Sequence, residues 1–148
     1  MNGDFELFHV IWFPFMAAFL CYLTGMRHKM IRDRVLQISV ILEMGLMVLA
    51  AGAYLRTGEL EFIWEDFCMQ GLYLKLDGFR LLYGCIAALM WMMTGIFSRE
   101  YFAHYRNRNR YYFFYLLTLG ATVGVFLSGD LYTTFIFFEI MSLASYVW

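Results

Sequence analysis

Arg27-His28-Lys29-Met30-Ile31-Arg32-Asp33-Arg34 stands between two apolar blocks, Leu7 to Gly25 and Val35 to Leu55. Each block is close to the roughly 20 residues that a helix needs to cross a hydrocarbon core. The charged run carries four cations, Arg27, Lys29, Arg32 and Arg34. Outward from it the pattern repeats. A third apolar block runs from Gly78 to Phe97, and a second basic loop, Ser98 to Arg110, holds Arg99, Arg106, Arg108 and Arg110. A fourth block, Tyr111 to Ser128, and a fifth, Leu131 to Trp148, meet at a tight turn, Gly129-Asp130. The connection from Arg56 to Asp77 is acidic instead, with Glu59, Glu61, Glu65, Asp66 and Asp77 against Arg56 and Lys75. Lys and Arg mark the cytoplasmic side of a membrane. Two spans separate the basic loops, so both loops share that side, and the acidic loop and the N-terminus fall on the other. The expected fold is therefore all-α transmembrane, with about five membrane-spanning helices and the N-terminus outside. The location is a cell (inner or plasma) membrane.

Composition agrees. Of the 148 residues, 62% are hydrophobic and only 16% charged, where soluble domains have about 45–50% and about 25%. Five blocks alternating in flanking charge exclude the buried helices of a large soluble protein. The opening Met1-Asn2-Gly3-Asp4 has no basic residue before Arg27, unlike a cleaved secretory signal, so the first block is expected to stay. Its Pro14 is expected to kink it. In the acidic connection, Leu72, Leu74 and Leu76 alternate with Tyr73 and Lys75, which is strand period. Phe62-Ile63-Trp64 can pair with them across Gln70-Gly71, giving a short outer β-hairpin. The alternative is an interfacial helix using Phe62, Trp64 and Phe67.

Glu139 lies nine residues past Asp130. At about 1.5 Å per residue it sits near the middle of a core about 30 Å thick. A charge there costs about 2.5–3.5 kcal/mol on insertion scales, so protonation, a cationic partner or a wet cavity must offset it. A carboxyl poised in that way can exchange protons. Ser142 and Tyr146 lie on the same helical stripe at i+3 and i+7, with Phe135 and Tyr132 behind. The alternative is a protonated packing residue. Glu43 is a second carboxyl, in the middle of block two and one turn from Ser39 and Met47. It reads first as interhelical glue and second as an extension of a proton path. Lys29 and Lys75 are in loops and Arg80 is at the mouth of block three, so the spans supply no mid-membrane cation.

Other chemistry is not indicated. Cys21, Cys68 and Cys85 form no metal-ligand spacing, and His9, His28 and His104 are not placed deep on facing helices as a membrane haem requires. No phosphate loop or nucleophile triad is present. Gly120-x-x-x-Gly124 permits close helix contact, and Tyr111 and Tyr112 suit an interfacial aromatic belt.

Three segments resemble the antiporter-like, proton-conducting membrane subunits of respiratory complex I, membrane-bound hydrogenases and multisubunit cation/proton antiporters. Leu76-Asp77-Gly78-Phe79-Arg80-Leu81-Leu82 resembles that family's LDGLSLL at the start of its third helix. Ser98-Arg99-Glu100-Tyr101 through Tyr112-Phe113-Phe114 is similar to its S-x-x-Y…R-(Y/F)-F loop. Gly129-Asp130-Leu131 through Phe138-Glu139-Ile140-Met141-Ser142-Leu143-Ala144-Ser145-Tyr146 resembles NLxxLFxFWExMSLxSYLL, with Phe138 in place of Trp and Asp130 in place of Asn. The resemblance implies that Glu139 is the family's transport glutamate, paired with a lysine on a later helix. It implies that 1–110 are three leading helices, with a hairpin loop at 56–77, and that 111–148 are the first two helices of a five-helix transport repeat. The family chain is much longer, so this sequence is expected to be the N-terminal portion of such a protein and to continue beyond Trp148.

The function expected is proton or cation translocation within a redox-driven complex such as an NADH:quinone oxidoreductase or a membrane-bound hydrogenase. The chain itself would perform no bond chemistry and carry no cofactor or metal. Flavin and iron–sulfur clusters would belong to partner subunits, and the other partners would be membrane subunits, the bilayer, and protons or Na+. The rivals are a component of a multisubunit Na+/H+ antiporter and a non-transporting structural or truncated product.

Overall fold

The structure, a computed structural model, describes residues 2–65, 71–102 and 108–147. Five helices and a two-stranded hairpin are formed by these residues: α1 Asn2–Arg27, α2 Lys29–Thr57, β1 Leu60–Trp64, β2 Leu72–Leu76, α3 Gly78–Tyr101, α4 Arg108–Leu127 and α5 Leu131–Val147. The first four helices are long and apolar enough to cross a membrane, and α5 is a shorter apolar helix of 17 residues, at the low end of the spanning range. The chain is a multi-pass membrane protein. Helix α1 packs against α2 and α4, α2 against α3, and α4 against α5.

The helix ends follow from local chemistry. Asp77 caps α3, its carboxylate accepting from the Arg80 N–H at 2.8 Å and from the Arg80 guanidinium at 2.9 Å. Arg80 is therefore held at the helix mouth by this pair. Asp130 caps α5 by accepting from the Thr133 N–H at 3.1 Å. Side-chain oxygens at this position satisfy amide protons that the first turn leaves free. Helix α1 runs unbroken through Pro14 from Asn2 to Arg27.

The expected hairpin is present, with Leu60 opposite Leu76, Phe62 opposite Leu74 and Trp64 opposite Leu72. It does more than lie on the surface. Leu60, Leu72, Leu74 and Leu76 are buried, and Phe62 and Trp64 reach the Phe8 ring of α1 at centroid distances of 5.7 and 6.1 Å. Alternation puts these side chains on one face, which closes the end of the bundle. The hairpin is also tied to the α4–α5 turn. The Gly129 N–H donates to the Tyr73 carbonyl at 2.8 Å, and the Tyr73 N–H donates to Thr133 Oγ1 at 3.0 Å. Gln70 of the expected turn, Phe67, Asp66, Cys68, His104 and Arg106 lie outside the described residues.

The basic run between α1 and α2 is less of a loop than its charge suggests. Only His28 leaves the helical conformation, with extended backbone, and α2 starts at Lys29. Arg32 then lies inside the first turns of α2 with only 4% of its side chain exposed.

Candidate functional site

Residues Leu131 to Val147 are strongly apolar, so α5 forms as a membrane helix whose packing is decided by small and large residues. Its inward side carries Thr133, Phe137 and Ala144. The Phe137 ring is seated on Gly124 of α4, where a Cβ would lie 2.5 Å from the ring. Gly120 serves a different neighbour, facing Pro14 and Phe15 of α1. The G-x-x-x-G pair thus admits one helix at each end of its stripe.

This seating turns Phe135, Glu139, Ser142 and Tyr146 outward. All four are exposed on the described bundle, Tyr146 to 91%. Glu139 is therefore in the membrane span but on a face that no described helix covers. Ser142 and Tyr146 share the face with it, as the helical spacing predicts.

Glu43 is the carboxyl that this bundle itself buries. It is 1% exposed, at the centre of the inward stripe of α2 formed by Arg32, Leu36, Ser39, Val40, Glu43, Met47 and Ala50. Neither carboxyl oxygen has a hydrogen-bond partner among the described residues. Ser39 does not reach it, because its hydroxyl donates to the Val35 carbonyl at 2.7 Å. The structure does not bring Glu43 and Glu139 together: one is sealed in the bundle and the other is on its outside.

An open cleft of about 430 Å³ lies between α3, α4 and α5, lined by Trp91, Thr94, Tyr115, Thr118, Thr122 and Ser145 with Met90 and Met141. Trp91 and Tyr115 are doubly joined across it: the indole N–H donates to the Tyr115 carbonyl at 3.3 Å, and the Tyr115 hydroxyl donates to the Trp91 carbonyl.

Sequence reasoning missed a second polar cluster, at the basic end. The Arg32 guanidinium donates to Asp33 at 2.7 and 3.0 Å and stacks 5.0 Å over the Tyr112 ring. Arg108 approaches the other Asp33 oxygen at 3.5 Å. Tyr112 is fully buried beneath Arg32, so it is no interfacial anchor. The signal was available: Arg32 falls in register with Leu36, Glu43 and Met47. Among the described residues, no three His, Cys, Asp or Glu side chains form a metal-ligand set.

No protein-family model matches the chain. A Na(+)/H(+) antiporter component from Alkalihalophilus pseudofirmus is 32% identical over 77 residues, 52% of this chain and 16% of that protein. An NADH-quinone oxidoreductase component from Pseudomonas aeruginosa is 26% identical over an alignment covering 93% of this chain and 29% of that protein. The chain's homologues are antiporter-type membrane subunits. A chain in a solved structure of the membrane-bound sulfane sulfur reductase, an archaeal respiratory membrane complex, superposes with a TM-score of 0.81. It is 23% identical, and the match covers 95% of this chain and 22% of that one. The chain thus spans less than a third of the length of each of these proteins.

Proposed function

We propose that this chain belongs to the proton- or cation-translocating machinery of a multisubunit membrane complex and that Glu139 is its transport carboxyl. The observation that carries the proposal is the placement of Glu139. It sits in a span, next to Ser142 and Tyr146, on a face of α5 that the described helices leave uncovered. A carboxyl facing lipid there is costly, so this face is read as a seam for a further membrane segment that supplies a cation or donor. The relationship to antiporter-type subunits supports the same reading. Residues 111–148 would begin the transporting unit, and 1–110, with the hairpin, would brace it.

The energy source separates two versions of this reading. Alignment with a quinone oxidoreductase component along 93% of the chain favours redox drive; flavin and iron–sulfur clusters would then sit in partner subunits. The 32% identity to Na(+)/H(+) antiporter components favours exchange driven by a gradient. The test for Glu139 is common to both. In vesicles carrying the full-length protein in its complex, Glu139→Gln should leave assembly intact and abolish most ΔpH formation. Transport at the parent rate would overturn the assignment.

A further inference from the structure

Threonines inside these helices spend their hydroxyls at home. Thr24, Thr57, Thr94, Thr118, Thr122 and Thr134 each donate to the carbonyl one turn back, the local partner open to a hydroxyl in a helix. Thr133 does something else. Its hydroxyl oxygen accepts from the Tyr73 N–H of β2 at 3.0 Å, and the side chain is completely buried. It therefore supplies the partner that a buried strand amide requires.

This bond is one part of a clamp between β2 and the α4–α5 turn. The Tyr73 carbonyl accepts from the Gly129 N–H at 2.8 Å. The Tyr73 ring covers Gly129, where a Cβ would lie 2.4 Å from it, and Leu74 forms a bridge with Ser128. Strand β2 thus has β1 along one edge and the turn along the other. The hairpin is firm enough to act as an anchor. Lys75 ties Glu59 and Glu61 at 2.7 and 3.2 Å, and Phe62 and Trp64 rest on Phe8 of α1.

Helix α5 packs on α4 and on β2, and its setting follows from two points on one side. Thr133 is held twice, its N–H by Asp130 at 3.1 Å and its hydroxyl by Tyr73. Phe137, one turn further on the same face, is seated on Gly124. Two such points fix how far the helix is rotated about its axis. Glu139 lies two residues past Phe137, about 200° further round, so that rotation decides where its carboxyl points. A rotation of about 20° carries a side-chain end at a radius of about 5–6 Å through about 2 Å, and a misplacement of about 1 Å can cost about 100-fold in rate.

We propose that Thr133 is a positioning residue for Glu139: by accepting the hairpin amide it holds α5 at the rotation that aims this carboxyl into the uncovered seam. The inference rests on the reading of Glu139 as the transport carboxyl. The outer hairpin then belongs to the working parts of the transporting unit, because its hold on α5 passes through Tyr73 and Thr133 to Glu139.

The test compares Thr133→Val, Thr133→Ser and Thr118→Val in the full-length protein within its complex, as proton movement in vesicles per assembled complex. Val keeps the shape of Thr and removes the acceptor. Thr133→Val should transport at least about tenfold more slowly, whereas Thr133→Ser, which restores the acceptor, should work near the parent rate. Thr118→Val is the control, because that buried hydroxyl bonds only within α4, and it too should work near the parent rate. In a Glu139→Gln background, Thr133→Val should remove nothing further from the residual rate. The parent rate in Thr133→Val, equal losses in Thr133→Val and Thr133→Ser, or a further loss in the Glu139→Gln background each overturns the proposal. If Thr133→Val fails to assemble, Gly129→Ala decides: it drives the Tyr73 ring off the turn, so it should slow transport, and adding Tyr73→Ala should restore part of the rate. The parent rate in Gly129→Ala, or no recovery in the double variant, overturns the clamp. Loss in Glu139→Gln with the parent rate in Thr133→Val sinks this inference alone, whereas full activity in Glu139→Gln sinks the assignment of Glu139.

Discussion

Replacing Gly124 with Ala should loosen α5 from the bundle by an amount that can be worked out from one contact. A Cβ at Gly124 would lie 2.5, 2.6 and 2.8 Å from three carbons of the Phe137 ring. Ordinary carbon–carbon contact is about 3.5–4.0 Å, so the ring must retreat by about 1 Å. Phe137 is 5% exposed and has little room to turn. Overpacking of this kind costs about 1–3 kcal/mol, roughly a 5- to 150-fold shift in an equilibrium. Ala also gains about 1 kcal/mol over Gly inside a helix, which would mask part of the loss. Gly45→Ala is the control, because that glycine is exposed on α2 and a Cβ there meets nothing within 4 Å. The two substitutions share the propensity gain, so their difference isolates the clash. Thermal or denaturant unfolding of the full-length protein in detergent should place Gly124→Ala about 1–3 kcal/mol below Gly45→Ala. Adding Phe137→Leu to Gly124→Ala should recover much of that difference. Equal stability of the two alanine variants would refute the claim that the Gly124–Phe137 contact seats α5. Because Glu139 follows Phe137 by two residues, Gly124→Ala should also reduce transport.

Two further outcomes follow from the ends of the bundle. Arg32→Leu leaves Asp33 without its closest cation, and breaking such a buried pair costs about 3–5 kcal/mol; Arg32→Lys should recover only part of the loss, because an ammonium cannot reproduce the planar contact with Tyr112. Both are read by unfolding midpoints. At the other end, hydrogen bonds first from Tyr73 and then from Lys75 hold the Glu61 carboxyl below its usual value, and bonds to Glu59 and Glu61 hold Lys75 above its own. A lowered acid stabilises the hairpin above its unfolded value of about 4.3 and loses that as pH falls through the folded value, whereas a raised Lys contributes below about 10.4 and loses that as pH rises. Amide exchange in β1 and β2, corrected for the intrinsic pH dependence of exchange, should therefore show greatest protection at intermediate pH and less in acid. Glu61→Gln should flatten the acid limb, and an unchanged acid limb in that variant would assign the effect elsewhere.

Most of the architecture was legible because membrane helices are written in long blocks. Each of the five expected blocks matches a helix to within a few residues at most boundaries, and the leucine alternation at Leu72 to Leu76 identified the strand. What charge counting obscured was the location of charged groups inside the fold. Arg32 was counted with its basic neighbours, yet it is the first residue of the inward stripe that also contains Leu36 and Glu43. Burial of a cation by a neighbouring Asp and a stacked Tyr on another helix is a tertiary event, so local composition does not reveal it. The same limit applies to the candidate site. Periodicity placed Glu139, Ser142 and Tyr146 on one stripe, but which way that stripe faces is set by Phe137 and Gly124, on two different helices.

The two intramembrane carboxyls therefore sit in different surroundings. Glu43 is enclosed by the described helices, and neither of its carboxyl oxygens has a hydrogen-bond partner among them. Glu139 sits on an open face, where an insertion cost of about 2.5–3.5 kcal/mol is a lower bound on what any covering segment must return. A purely apolar cover would return none of it. A cover bearing a cation would return it through pairing, and the exchange would then depend on how close that cation comes. Movement of the covering segment by even a few ångström would change the field at Glu139 far more than at Glu43, since the interaction of two charges falls with distance and rises steeply in a medium of low dielectric. On this geometry Glu139 is the carboxyl that a partner or a further segment can reach, and Glu43 the one that the described helices themselves enclose.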